Sequence, residues 1–140
     1  MRRTYLIGEQ INFEIIITNT GNTTLNVVEF WDRWDSNYIR FNNGYIIKNN
    51  LTINDISQII TEQNNSQIYI ADITNSILGD LEPGESFLIY LNFTAVNPTP
   101  FYVGETCNNA IASGDEIPEV RDKVCFIYSK SKHRLVKIFK

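Results

Sequence analysis

The sequence predicts an all-β domain, an immunoglobulin-like antiparallel β-sandwich of about seven to nine strands with room for one short helix. Three observations predict it. Ile, Asn, Thr, Tyr and Phe are abundant in a chain of 140 residues that is 43% hydrophobic and 12% aromatic. β-Branched and aromatic side chains fit a pleated, half-buried surface, and Asn with Gly fits turns. Several short segments alternate apolar and polar residues, and turn signals separate them at near-regular spacing with no sustained helical period.

The first element is Ile11-Asn12-Phe13-Glu14-Ile15-Ile16-Ile17-Thr18, with Ile11, Phe13, Ile15 and Ile17 on one face. That period of two is the mark of a strand with one buried side. Asn19-Thr20-Gly21-Asn22-Thr23 closes it as a turn in which Gly21 can take positive φ. Leu25 to Trp31 reads as the returning strand, but Val27, Val28, Phe30 and Trp31 break the alternation, which suggests a bulge or burial on both faces. Tyr38 to Phe41 reads as a short strand stopped by Asn42-Asn43-Gly44, and Tyr45 to Ile47 as another. In Asn54 to Thr61, Ile56, Ile59 and Ile60 have helical spacing with Asn54 or Asp55 as N-cap, so a short helix stands there beside a strand or loop reading. Gln67 to Ile70 reads as a strand. Leu81-Glu82-Pro83-Gly84-Glu85 puts Pro and Gly where a type II turn wants them. Ser86 to Thr94 then alternates, with Phe87, Ile89, Leu91 and Phe93 facing one way, and Asn97-Pro98-Thr99-Pro100 is a stiff connector.

The last hairpin pairs Thr106–Ser113 with Val120–Tyr128 around Gly114-Asp115-Glu116-Ile117-Pro118-Glu119. Folding it about residue 116 sets Cys107 opposite Cys125. Directly opposed residues of an antiparallel pair have Cα atoms about 4.5–5.5 Å apart, within disulfide range. A disulfide closing this loop contributes about 3 kcal/mol in the entropic account and implies an oxidising compartment; the alternative is a pair of reduced, buried thiols.

Charge is uneven. All 16 acidic residues lie in residues 4–129, against only Arg33, Arg40, Lys48, Arg121 and Lys123. Residues 130–140 carry Lys130, Lys132, Arg134, Lys137 and Lys140 and no acid. The expected organisation is therefore one domain over 1–129, followed by a basic tail or the start of a linker over 130–140. An acidic body repels nucleic acid. No apolar run of membrane-spanning length occurs, and the N-terminus lacks the apolar core of a signal peptide, so an export signal would lie outside this sequence. Sequons at Asn22, Asn50, Asn64 and Asn92 permit glycosylation of an exported chain.

Chemistry-bearing constellations are sparse. The one histidine, His133, sits in the basic segment, away from both cysteines, so neither a Ser/Cys–His pair nor a zinc site is expected. No phosphate-binding loop is present, and no cofactor or metal is expected. Asp115, Glu116, Glu119 and Asp122 crowd a loop with the oxygen ligands that calcium prefers, but at no defined calcium-loop spacing; a solvated acidic turn is the simpler reading. Trp31, Trp34, Tyr38 and Phe41 crowd one segment between charged residues. Exposed, they would stack on a sugar or a partner protein; otherwise Trp31 and Phe41 belong to the core and the others cap its end.

Read in order, Gly8-Glu9-Gln10-Ile11-Asn12-Phe13, Asn19-Thr20-Gly21-Asn22-Thr23-Thr24-Leu25-Asn26-Val27, Asp32, Leu81-Glu82-Pro83-Gly84-Glu85-Ser86 and Asn109-Ala110 form a pattern. It resembles the repeat family called "domain of unknown function 11", tandem modules of bacterial and archaeal surface and adhesin-like proteins. The chain departs from that pattern in the long aromatic stretch from Trp31 to Gln67 and in its cysteine pair. The resemblance implies a structural or spacer repeat displayed on the cell surface, without catalysis, whose partners are neighbouring repeats. In that setting Arg134 to Ile138 is the opening strand of a following repeat. The alternative is a module that binds a glycan or a partner-cell surface protein through segment 31–41. Some immunoglobulin-like adhesin modules carry a Lys–Asn crosslink; the first strand here has no Lys, so none is expected.

Overall fold

The computed structural model describes residues 7–96, 106–114, 117–126 and 132–139, with side chains over 7–96 and 108–114. Ten strands and one 3-10 turn are present among them: β1 (Gln10–Asn19), β2 (Val28–Arg33), β3 (Ile39–Lys48), β4 (Leu51–Ile53), the turn Ile56–Gln58, β5 (Glu62–Asn64), β6 (Gln67–Ile70), β7 (Ser86–Ala95), β8 (Thr106–Gly114), β9 (Ile117–Phe126) and β10 (Lys132–Phe139). They form two five-stranded sheets, ordered β10-β1-β7-β3-β4 and β5-β6-β2-β8-β9. The architecture is the immunoglobulin-like β-sandwich that the alternating apolar pattern predicts.

The core is built from the alternations read in the sequence. Ile11, Phe13, Ile15 and Ile17 of β1 and Phe87, Ile89, Leu91 and Phe93 of β7 are all at most 1% exposed. From the second sheet Val28 and Phe30, Ile68 and Ile70, and Ala110 and Ala112 meet them. Burying each large apolar side chain contributes roughly 1.5–3 kcal/mol, and these two sets hold the sheets together.

Several expectations are revised. The second strand begins at Val28, not Leu25; Leu25 instead makes an isolated bridge with Leu81, and Val27 is exposed. Asn42-Asn43-Gly44 does not stop a strand. It carries a β-bulge in one continuous β3, where the pairing with β7 shifts between Phe41 and Asn43. One extra residue reverses which side chains face inward. Ile39 points in before the bulge, and Gly44, Ile46 and Lys48 after it, leaving Tyr45 outside. In 54–61 the helical spacing yields only a single 3-10 turn, capped by the Asp55 side chain accepting from Ser57 N. Two Ser57 bonds hold the Asp55 carboxyl below its ordinary pKa.

The basic segment 130–140 is not merely a tail. Its residues Lys132–Phe139 form β10, parallel to β1, with Asn12 opposite Lys132 and Asn19 opposite Phe139. Residues 132–139 thus add an edge strand to the first sheet. Asn97-Pro98-Thr99-Pro100 lies outside the described residues. No helix among the described residues is long and apolar enough to cross a membrane.

The two turn motifs meet. Gly84 takes φ of +85° and Glu85 N donates to Glu82 O at 2.9 Å, as the Pro-Gly pair requires. Gly21 is not among the positive-φ residues. Its turn is organised by Asn19, 1% exposed, whose Nδ2 donates to Thr23 O at 2.8 Å and Leu81 O at 2.9 Å. Asn19 Oδ1 accepts from Gly21 N at 3.0 Å. Lys48 adds a bond to Asp80 O at 2.7 Å and lies 3.5 Å from Glu85. The backbone N–H of Glu82, the Asn49 amide and Lys48 together lower the Glu85 pKa.

Candidate functional site

The four aromatics of segment 31–41 do not form one platform. Along β2, Val28, Phe30 and Asp32 point into the core and Glu29, Trp31 and Arg33 point away from it. Trp31 therefore lies on the outer face of the second sheet, where its cross-strand neighbours are Tyr69 and Ile111. Its ring stacks on Tyr69 with centroids 5.0 Å apart and planes at 28°. Tyr69 Oη donates to Glu29 Oε2 at 2.6 Å, and Ser113 Oγ donates to Glu29 Oε1 at 3.0 Å. Because its proton is held by Glu29, the Tyr69 phenol is pushed up to about 12. On the same face Arg33 Nε donates to Gln67 Oε1 at 2.6 Å.

Trp34 goes the other way. It is 6% exposed, meets Phe93 edge-on at 5.0 Å and lies 6.0 Å from Phe41. Phe41 completes the cluster on Phe93 at 5.5 Å, and Tyr38 packs half-buried against the same core. A tryptophan sealed in the sandwich cannot stack on a ligand. The division expected between a core pair and a capping pair is thus partly inverted, with Trp34 inside and Trp31 outside. Tyr69 was not singled out from the sequence, although its place between buried Ile68 and Ile70 marks it as outward-facing. Its contact with Trp31 depends on strand register between distant segments.

Behind Trp31 lies a buried polar pair. Asp32 and Asn108 are both 0% exposed, and Asn108 Nδ2 donates to Asp32 Oδ1. The inward asparagine is Asn108, one residue before the Asn109-Ala110 of the sequence pattern, because Ala110 shares its inward phase. A buried polar group is costly unless hydrogen-bonded, and this bond joins β8 to β2 at this level. The described lysine, Lys48, bonds Asp80 and Glu85 instead. Among the described residues no group of three His, Cys, Asp or Glu is placed to hold a metal ion.

Cys107 and Cys125 are direct partners in the β8–β9 register, as the hairpin count predicts; their side chains lie outside the described residues. The acidic loop Asp115, Glu116, Glu119 and Asp122 likewise lies outside the residues whose side chains are described. Of the sequons, Asn22, Asn50 and Asn64 are exposed, whereas Asn92 Nδ2 is engaged by Asn12 Oδ1 at 2.8 Å.

No family model matches the chain, and no curated protein matches it. Solved structures do match. Its fold is that of bacterial adhesin and pilin domains. The N-terminal domain of a Streptococcus gordonii adhesin is similar with a TM-score of 0.55 at 9% identity, covering 86% of this chain and 32% of that one. The full-length major pilin SpaD of Corynebacterium diphtheriae is similar with a TM-score of 0.57 at 12% identity, covering 87% and 31%. A collagen-binding domain from a Staphylococcus aureus adhesin is similar with a TM-score of 0.51 at 12% identity, covering 89% and 97%. The chain thus spans about a third of the first two and nearly all of the third.

Proposed function

We propose that this chain is a non-catalytic, load-bearing module of a larger cell-surface protein of the adhesin or pilin kind, displayed outside the cell and flanked by neighbouring repeats. The observation that carries this reading is the parallel register of β1 and β10. Two parallel neighbours run the same way, so the backbone enters the sheet at one end and leaves it at the other. Ten residues of β1 at about 3.3 Å each separate those ends by about 33 Å. Tension along a string of such modules loads the β1–β10 hydrogen bonds side by side, in shear, rather than opening them one after another. The fold shared with adhesins and pilins, and the resemblance to the surface-repeat family, both support the setting.

The test is single-molecule force spectroscopy with two attachment geometries. Pulling from residues 10 and 139 is expected to need clearly more force than pulling from the cross-strand partners Gln10 and Thr94, which unzips β1 from β7. Equal or lower force in the first geometry overturns the reading. A disulfide between Cys107 and Cys125, supported by their register, would lock the β8–β9 hairpin in the same module. Its sign is a two-proton mass difference with and without reductant; identical masses exclude it.

A binding role has one observation in its favour, the Trp31–Tyr69 stack on the outer face of the second sheet. Trp31, and not the buried Trp34, is the residue whose substitution tests it.

A further inference from the structure

We propose that the outer face of the other sheet carries a binding cleft for a neutral saccharide, built over Gly44 between β1, β7 and β3. A cleft of about 110 Å³ lies there, lined chiefly by Asn12, Asn43, Gly44, Tyr45, Tyr90 and Asn92. This volume is smaller than the ~150 Å³ enclosed cavity that takes a benzene ring, so a sugar would seat one face in the cleft and leave the rest in solvent. Gly44, which faces the core, forms part of the floor of the cleft. Its backbone passes so close to β7 that an added Cβ would stand 2.4 Å from Tyr90 O. The bulge before it rotates Tyr45 outward, where its ring stacks on Tyr90 with centroids 4.6 Å apart and planes at 16°. Tyr45 keeps 39% of its surface exposed.

Beside this aromatic wall runs a row of side-chain amides. Asn92 Nδ2 donates to Asn12 Oδ1 at 2.8 Å, and Asn42 Nδ2 donates to Asn92 Oδ1 at 2.8 Å and Thr94 Oγ1 at 2.6 Å. Gln10 Nε2 donates to the same Thr94 hydroxyl at 3.0 Å. These bonds fix which way the amides point before any ligand arrives, so less entropy is lost on binding.

The occupant follows from this chemistry. A sugar ring presents C–H faces to aromatic rings and hydroxyls to amides, each of which donates and accepts. Among the described residues, none lining the cleft carries a formal charge, so none of them repays the desolvation of a phosphate, sulfate or carboxylate. The ligand class is therefore an uncharged hexose or N-acetylhexosamine unit. This inference does not rest on the load-bearing reading, and either can fail alone.

The experiment is amide chemical-shift mapping of the full chain with methyl glycosides of neutral hexoses and N-acetylhexosamines. A sialic acid glycoside and a proline-rich collagen-type peptide serve as comparators. At least one neutral glycoside is expected to shift Asn12, Asn43, Gly44, Tyr45 and Asn92 together. Tyr45→Ala, shown by its thermal unfolding to remain folded despite the lost Tyr90 stack, should weaken that binding at least tenfold, and Asn43→Asp should weaken it too. The proposal is overturned if no neutral glycoside shifts these amides at millimolar concentration. It is equally overturned if only the peptide or the charged sugar does, or if binding is lost with Trp31→Ala and kept with Tyr45→Ala.

Discussion

At the scale of the residue, polar side chains inside the sandwich do as much positioning as apolar ones. Asn19 is the clearest case, since its amide links the turn after β1 to the turn before β7 through three bonds of 2.8–3.0 Å. A net hydrogen bond contributes about 0.5–1.5 kcal/mol, and a buried group left unpaired costs about 1–3 kcal/mol. Asn19→Ala should therefore destabilise the fold by about 2–4 kcal/mol, read as a lower denaturant midpoint at unchanged slope. An unchanged midpoint would mean that the Asn19 side chain adds nothing to the backbone bonds that already join the two turns. Asn19 was legible in the sequence only as a turn residue. Its reach to Leu81 spans 62 positions, and no local pattern encodes that. Trp34 makes the same point for apolar groups, because its sequence neighbours left a stacking platform and an end cap both open, while the end of β2 turns it onto Phe93.

At the scale of the element, alternation was a reliable guide where strands are regular and misled where one is bulged. β1 and β7 follow their period from end to end. In β3 the Asn-Asn-Gly run has the composition of a turn, yet Gly44 is there for close approach to Tyr90. A Cβ at 2.4 Å from a backbone oxygen cannot be relieved by a side-chain rotation. Overpacking of this kind costs about 1–3 kcal/mol, sometimes more, so Gly44→Ala is expected to lower stability by at least that much. A fully tolerated alanine would show that β3 and β7 are not held this closely. The segment 54–61 shows the opposite failure. Of three isoleucines at helical spacing, only Ile56 lies in the single capped 3-10 turn, where it is drawn into the core.

At the scale of the whole molecule, β10 is decisive. As an edge strand parallel to β1, it covers backbone groups that would otherwise be left unpaired at the sheet margin. Removing residues 132–140 removes a ladder of eight paired positions. At about 0.5–1.5 kcal/mol per hydrogen bond, the cost is several kcal/mol. The shortened chain should unfold at a lower denaturant midpoint and self-associate through the bared edge of β1, as seen by sedimentation. A shortened chain that stays monomeric with unchanged stability would support the domain limit at residue 129.

The sequence by itself determined the all-β class, the inward faces of β1 and β7, the Pro-Gly turn and the opposition of Cys107 and Cys125. Each of these is set by near neighbours along the chain or by a single hairpin, where period and turn chemistry act directly. Tertiary structure alone decided that Trp31 meets Tyr69, that Asp32 meets Asn108, that Tyr45 and the asparagines share one cleft, and that the basic segment returns to β1. All of these depend on register between strands distant in sequence, and register is settled only when two sheets close over one core.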